Sequence, residues 1–240
     1  MPQLHKFGYR ISIFTVIITA ITFAIAVCTP PLSGPFCKAD CFQYPFTDIL
    51  SRFPRDYYWM YPAMLMVLGY MVMIITLHQV APEGKRHLTL SGVAFAVMAT
   101  LTLFADYFIQ VSVIQPSLLN GEHDGISLLS QFNPHGLFIV LEEVGLTFMA
   151  LSFLFIAAAV EPGYKGKRVI QITAISGISL TVVAFAAISA QFGIFREYRF
   201  EVAVITITWL QLIILGIMFA RYFKSSSKNR MFYPPGTGEY

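Results

Sequence analysis

Three acidic residues within apolar stretches are the side chains of this sequence best suited to chemistry. Glu142 and Glu143 are adjacent in the stretch 136–160, and Asp106 interrupts the stretch 88–114. A carboxylate at the centre of a membrane helix costs roughly 2.5–3.5 kcal/mol by insertion scales. No lysine or arginine lies in the interior of either stretch to neutralise these acids. The sequence therefore predicts that protons, a cation or a polar ligand compensates them.

The elements that position these acids are predicted to be membrane-spanning helices. Hydrophobic residues make up 56% of the chain and charged residues 12%, and the mean hydropathy is +0.66, above the range of soluble proteins. A spanning helix needs about 20 predominantly apolar residues. We therefore predict an all-α fold, with residues 1–240 forming a single six-helix transmembrane bundle and spans at about 11–28, 57–80, 88–115, 135–160, 169–195 and 201–223. The length of the first stretch favours a retained helix over a cleaved signal peptide.

The distribution of basic residues predicts the orientation of the six helices. Eleven of the 16 lysines and arginines lie before the first span, in the second and fourth connections, and after the sixth span. Because positive residues accumulate in cytoplasmic segments, both termini are predicted to be cytoplasmic. The loops at about 29–56, 116–134 and 196–200 are then extracytoplasmic, in a multi-pass protein of the cell membrane. The net charge of +3 reflects these flanks and does not indicate nucleic-acid binding.

Several predicted helices contribute a polar group to one layer of the membrane. With a rise of about 1.5 Å per residue, the two glutamates lie roughly 12–14 Å below the outer start of the fourth helix. Asp106 lies roughly 14 Å below the outer end of the third helix by the same rise. The third helix is expected to end at Gln115–Pro116, and the fourth to begin at an Asn133 N-cap. The residues expected to bind a ligand or protons are Asp106, Gln110, Glu142, Glu143, His135, Gln211 and Tyr70.

Helical rotation separates the two adjacent glutamates. Residues seven apart share a helix face, so His135 and Glu142 are expected to point together, whereas Glu143 points about 100° away. Asp106 and Gln110 are four apart and share a face of the third helix. We therefore expect Glu142 and Asp106 to form the site and Glu143 to contact a neighbouring helix. Burial among like charges favours neutral carboxyl groups, so the acids could instead serve only as hydrogen bonds between helices.

Three cysteines fall at the start of the first predicted external loop. Cys28, Cys37 and Cys41 are disulfide candidates because extracytoplasmic compartments permit disulfides. A bridge from Cys28 to either of the others would join this loop to the first helix, and the odd number leaves one thiol free. The aromatic residues at 56–61 are expected to anchor at the membrane interface. The apolar stretch 126–132 of the third loop is expected to lie on the membrane surface or to fold over the bundle.

No cofactor is predicted. The sequence lacks His-Glu-x-x-His, a Glu-x-x-His pair within a span, Gly-x-Ser-x-Gly and a phosphate-binding glycine loop. A mixed metal site of His135, Glu142 and Asp106 is disfavoured, since the histidine lies roughly 10 Å along the helix from Glu142. No mid-helix lysine is present to carry retinal, and no facing histidine pair at one depth to bind haem. We therefore expect no metal, and a binding role rather than catalysis.

The third and fourth predicted helices resemble segments of known membrane proteins. The resemblance rests on 106–110 (Asp-Tyr-Phe-Ile-Gln), 115–119 (Gln-Pro-Ser-Leu-Leu), 133–138 (Asn-Pro-His-Gly-Leu-Phe) and the pair Glu142–Glu143. Over this region, about a quarter of the chain, the sequence resembles uncharacterised bacterial six-helix integral membrane proteins. The resemblance implies a six-helix architecture in a bacterial inner membrane, and it implies no activity.

These features together predict an integral membrane protein with an outward-facing acidic pocket. The leading hypothesis is that the pocket binds or transports a small polar or cationic molecule, and proton coupling through the acids is one form of it. One alternative is a membrane-embedded enzyme that uses a carboxyl group as general acid or base on a lipid-like substrate. Another is a non-catalytic subunit whose acids serve helix packing. The predicted partners are membrane lipids, the ligand or protons, and a second copy or another membrane protein.

Overall fold

Six long helices make up most of the fold. The computed structural model describes residues 2–29, 31–161 and 163–232, and the side chains of residues 3–29, 31–161 and 163–225. Strands are absent from these residues, so the predicted all-α fold is confirmed. The helices are α1 (Pro2–Cys28), α2 (Met60–Val80), α3 (Arg86–Ile109), α4 (Gln115–Leu119), α5 (Ile126–Leu129), α6 (Leu137–Ala159), α7 (Lys167–Phe192) and α8 (Tyr198–Phe232).

The predicted number of membrane-length helices is confirmed. The segments long and apolar enough to span a membrane are Gln3–Cys28, Arg55–Val80, Glu83–Leu119, Leu137–Ala159, Lys167–Phe192 and Tyr198–Ser225. The orientation of the bundle, with both termini on the cytoplasmic side, stays a prediction. Two of the basic residues behind that prediction, Lys228 and Arg230, have side chains outside the described residues. We call the end of the bundle that carries the 29–59, 110–136 and 193–197 connections the loop end.

The third span continues beyond its predicted end. α3 passes through a π-helical turn at Gln110–Ile114 into α4, which ends at Leu119 rather than at Gln115–Pro116. Pro116 does not stop the helix because it lies in the first turn of α4, where a missing N–H is tolerated. A π turn widens the helix locally, and such turns concentrate at functional sites. This one lies at the loop end, beside the third loop.

The fourth span begins later than Asn133. The Asn133 side-chain oxygen accepts the backbone N–H of His135 at 2.9 Å, which forms a turn before the helix. α6 itself starts at Leu137, after Gly136 in an extended conformation. His135 is therefore not part of α6, and the helical spacing that was expected to align it with Glu142 does not apply. The expected N-cap at Asn133 is replaced by this turn.

α6 lies at the centre of the bundle. It packs against α3, α7 and α8, while α1 packs between α2 and α8. Gly145 allows α3 to approach closely, since a side-chain carbon at this position would lie 2.6 Å from Leu103 Cγ. α7 is the most peripheral span, with only Ile170, Ala174, Gly177 and Thr181 buried. The central position of α6 places its first turns beneath the loops.

The loops at this end fold onto the bundle. In the first loop, Tyr57 and Trp59 are buried, whereas Tyr58 and Tyr61 are exposed, so only part of the expected aromatic anchor faces outward. In the third loop, the apolar stretch 126–132 forms α5 and buries Ile126 and Phe132. Of the two expected arrangements of this stretch, the structure has the one in which it folds over the bundle.

The expected disulfide is present, with a different pairing. Cys37 is bonded to Cys41 within the first loop, and Cys28 is a free, exposed cysteine at the end of α1. The expected bridge from Cys28 to this loop is therefore wrong. A bond between residues four apart constrains a local turn, and the attachment of the loop to the bundle depends on other contacts.

The free cysteine allows the predicted orientation to be tested. If the loop end is extracytoplasmic, a membrane-impermeant maleimide should label Cys28 on intact cells, because the other two cysteines are oxidised. The measurement is the mass increase of the purified protein, with Cys28→Ser as the unlabelled control. Labelling that appears only after the cells are permeabilised would reverse the orientation.

Candidate functional site

A cavity of about 370 Å³ lies at the loop end of the bundle. It is lined by the last turn of α1 and the loop that follows, by Asp56 and Trp59 before α2, and by Gln131 and Phe132 of the third loop. The first turns of α6 and α8 complete its walls. Ligand sites typically have volumes of about 300–1,000 Å³, so the cavity is large enough for a small organic molecule.

Two carboxyl groups meet in this cavity. Glu142 of α6 is fully buried, Glu201 of α8 is 8% exposed, and their carboxyl groups are close enough to interact directly. The Tyr107 hydroxyl of α3 donates to Glu142 Oε1 at 2.6 Å, and Glu142 Oε2 has no donor among the described residues. Two ionised carboxylates offer no proton for a hydrogen bond between them. The contact is satisfied either by one shared proton or by a cation.

Asp106 extends this acidic cluster away from the cavity. It precedes Tyr107 on α3, is almost fully buried, and interacts electrostatically with Glu142. Its Oδ2 atom has no hydrogen-bond partner among the described residues, and its side chain does not line the cavity. The structure therefore brings the two residues expected to form the site, Glu142 and Asp106, into one cluster, and only Glu142 reaches the cavity wall.

Glu201 belongs to this site and was missed from the sequence. It lies in the first turn of α8, so depth counting treats it as a flanking residue rather than as part of the polar layer. One signal could have identified it. Glu201, Ile205 and Trp209 are spaced by four residues and share a helix face, and all three line the cavity.

Tryptophan residues form much of the apolar wall. The chain has two, Trp59 and Trp209, and both line the cavity with ring centroids 6.3 Å apart and planes inclined by 54°. Phe138 adds a third ring, 6.4 Å from Trp59. Trp59 was expected to be an interfacial anchor, but it is buried, because the loops close over the start of α2. The site is thus a carboxyl pair beside aromatic rings.

The remaining expected site residues lie elsewhere. Gln211 donates from Nε2 to the carbonyls of Thr173 and Ala174 at 3.2 and 3.3 Å, which joins α8 to α7. The Tyr70 hydroxyl of α2 lies near Ser152 of α6, but neither hydroxyl has a hydrogen-bond partner among the described residues. Gln211 and Tyr70 lie outside the cavity, and only Gln211 forms hydrogen bonds between helices.

His135 and Glu143 also lie apart from the carboxyl pair. His135 is half-exposed in the turn before α6, with Nε2 3.9 Å from Glu197 Oε1. Glu143 is partly buried on the neighbouring face of α6, where Arg196 and Glu142 act on it electrostatically. Neither side chain lines the cavity. Helical rotation separates the adjacent glutamates as the sequence predicts, and Glu143 lies on the side of α6 influenced by Arg196 of the α7–α8 connection.

Tyr198 ties two loops together over the cavity. Its hydroxyl donates to the Gln131 carbonyl at 3.0 Å and lies 2.7 Å from Ser33 Oγ. Gln110 holds the same segment of the third loop. Its Nε2 donates to the Leu129 carbonyl at 2.7 Å, and its Oε1 accepts the Gln131 N–H at 3.0 Å. Gln110 was expected to bind the ligand, but both of its polar atoms are used to position this cover.

Asp56 is the third acidic residue that lines the cavity, and its charge is already compensated. Arg52 Nε lies 2.6 Å from Asp56 Oδ2, and Arg55 Nε lies 2.9 Å from Oδ1. The carboxylate is only 2% exposed, so these two ion pairs account for its burial. The uncompensated acidic groups of the cavity are therefore Glu142 and Glu201.

The donor set does not form a metal site. Among the described residues, no group of three or more histidine, cysteine, aspartate or glutamate side chains is arranged to hold a metal ion.

Comparisons with known proteins give no relative. No protein-family model, curated protein or solved structure matches the chain. The function must therefore be argued from the cavity itself.

Proposed function

We propose that the protein binds a small cationic molecule between Glu142 and Glu201. The observation that carries the proposal is the contact of these two buried carboxyl groups in a cavity that no basic side chain lines among the described residues. A cation between them supplies positive charge and hydrogen-bond donors, including a donor for Glu142 Oε2. The site shares Glu142 with the acidic pocket expected from the sequence, whereas Asp106, Gln110 and Glu143 do not line it. That it faces outward rests on the predicted orientation.

Protons compete with the cation for the same two carboxyl groups. Without a ligand, the close contact of Glu142 and Glu201 requires at least one proton on the pair. A bound cation replaces a proton, so binding releases protons. By linkage, the affinity then rises with pH, about tenfold per pH unit for each proton released. Other titratable groups around the pair are Asp106, Tyr107, Glu143 and Tyr198.

The test is cation binding by purified protein in nanodiscs. A panel of sodium, potassium, methylammonium, guanidinium and tetramethylammonium is titrated calorimetrically at two pH values and in two buffers, which reports proton release. Each charge-assisted hydrogen bond contributes about 1.5–3 kcal/mol, so Glu142→Gln with Glu201→Gln should weaken binding of methylammonium and guanidinium, which carry N–H donors, by at least ~100-fold. Glu143→Gln is the matched control, because it removes the adjacent carboxyl group, which does not line the cavity. The control should change affinity less than about threefold.

Two outcomes would overturn the proposal. One is that no member of the panel, and no hydrophobic ammonium ion, binds saturably. The other is that Glu143→Gln weakens binding as much as the double replacement does. In either case the two alternatives left open from the sequence, a membrane-embedded enzyme and a subunit whose acids serve helix packing, would stand in its place. Flux of a bound cation into sealed proteoliposomes would distinguish transport from binding alone.

A further inference from the structure

We infer that the bound cation is a hydrophobic ammonium ion whose apolar part reaches the lipid between α1 and α8. The inference rests on the proposed function and specifies the chemical class of its ligand. Three features of the cavity support it: the composition of its walls, its size, and the position of its opening.

The walls are suited to an organic cation. A metal ion needs several oxygen ligands in a defined geometry, and the described residues provide no such cluster. Trp59, Trp209 and Phe138 instead present aromatic rings beside the carboxyl pair. Aromatic faces attract ammonium groups that carry alkyl substituents, and tryptophan does so most strongly. Charge neutralisation by carboxylates and contact with indole rings thus favour the same ligand.

The size of the cavity also exceeds what a bare ion needs. Its volume of about 370 Å³ is more than ten times the ~30 Å³ that one water molecule occupies in the liquid. An ammonium group at the carboxyl pair leaves most of this volume for an apolar substituent. The lining away from the glutamates is largely apolar, and it includes Leu32, Phe132 and Ile205.

The exposed residues of the cavity wall place its opening beside the end of α1 and the start of α8. Three lining residues are exposed, and all three are apolar: Pro31 and Phe36 follow α1, and Val202 lies in the first turns of α8. Phe36 is 40% exposed and Val202 is 47% exposed. Val202 belongs to a candidate membrane span, as does the last turn of α1. The loops tied by Tyr198 cover the cavity at the loop end, so this lateral gap is the route that an amphiphile would use.

The two tryptophans provide a direct assay. Both line the cavity, so a pyridinium ion that binds there will quench the intrinsic fluorescence of the protein. N-methyl-, N-butyl- and N-octylpyridinium carry the same charge and differ in apolar length. Each buried methylene contributes about fourfold in affinity, so burial of only part of the octyl chain should give at least ~30-fold tighter saturable quenching than the methyl compound gives. Glu142→Gln with Glu201→Gln should remove the saturable component for all three ions.

A variant at the opening tests the route. Val202→Phe narrows the gap and should slow quenching by N-octylpyridinium at least ~10-fold, which corresponds to about 1.4 kcal/mol in the activation free energy. Val182→Phe is the matched control. Val182 is 59% exposed on α7 and does not line the cavity. N-octylpyridinium should therefore quench the fluorescence of this variant at the wild-type rate. Both changes affect exposed side chains, so neither is expected to prevent folding.

The outcomes separate this inference from the proposed function. If small ions bind in a carboxyl-dependent way but chain length gives no gain, the ligand class is wrong and the proposed cation site stands. If a longer alkyl chain raises the apparent affinity equally in the double glutamine variant, the increase reflects partitioning into lipid, and the inference is overturned. If N-octylpyridinium quenches the fluorescence of Val202→Phe and Val182→Phe at the same rate, the lateral route is overturned. If no cation, small or hydrophobic, binds in a carboxyl-dependent way, both proposals fail.

Discussion

Replacing Glu201 with lysine is expected to abolish cation binding while the protein still folds. The introduced ammonium group would lie where the Glu201 carboxyl group now contacts Glu142. A tethered ion has an effective concentration of about millimolar or higher, so it competes permanently with a free ligand. The variant also loses one of the two carboxyl groups that bind the cation. We expect affinity for methylammonium or guanidinium to fall by more than ~100-fold, from the loss of charge-assisted hydrogen bonds.

The same replacement should not lower the stability of the protein, although it abolishes cation binding. A carboxyl–carboxyl contact that needs a shared proton becomes a buried ion pair with Glu142, in which each group has an opposite charge. We therefore expect the midpoint of thermal unfolding in detergent to stay the same or to rise. Glu122→Lys is the matched control, because it makes the same charge change on an exposed residue of the third loop. Unchanged cation binding in Glu201→Lys would place the binding site elsewhere.

Helical geometry explains why part of this site could be predicted from the sequence. Depth along each helix and rotation about its axis follow from a fixed rise and period, so Glu142 and Asp106 were expected to lie close together. The same rotation correctly separates Glu143 from Glu142. The rotation holds because Glu142 and Glu143 lie on one regular α-helix. The predicted depths refer to Asn133 and Gln115, whereas α6 begins at Leu137 and α4 ends at Leu119, so the predicted distances from the helix ends are wrong.

The misplaced residues lie where helices end and loops begin. His135 lies in a turn rather than in α6, and Gln110 lies in a π-helical turn, so helical spacing does not describe either one. Trp59 could be an interfacial anchor or a cavity wall, and only the folding of the loops over α2 decides between them. The pairing of Cys37 with Cys41 likewise depends on the local path of the loop. Tertiary contacts determine the positions of these residues. Helical periodicity in a single sequence does not predict such contacts.

The cover of the cavity leads to a second prediction with a large effect, at Arg52. Asp56 is buried, and its two ion pairs with Arg52 and Arg55 hold the last turn before α2. Removing a partner of a buried ion pair typically costs about 3–5 kcal/mol, because a charge is left without compensation. Arg55 remains in the variant, so we expect Arg52→Met to lower the free energy of unfolding by about 3 kcal/mol, the lower limit. The measurement is reversible unfolding in mixed micelles.

The same variant should also loosen the cavity. The Asp56 carbonyl accepts a hydrogen bond from Gln131 Nε2 at 3.4 Å, which connects this turn to the third loop. Trp59 follows three residues later and is buried under these loops. If Arg52→Met frees the turn, acrylamide should quench the tryptophan fluorescence more strongly than in the wild type, without any added cation.

A double-mutant cycle identifies the ion pair as the cause. In an Asp56→Asn background the buried charge is absent, so Arg52→Met should cost less than about 1 kcal/mol. Arg55→Met should have a smaller effect than Arg52→Met in the wild-type background, because the Arg55 side chain is 59% exposed, compared with 23% for Arg52. Solvent already weakens such an exposed pair. Equal costs for the two arginines, or no reduction in the Asp56→Asn background, would mean that packing of the Arg52 side chain rather than its charge stabilises the cover.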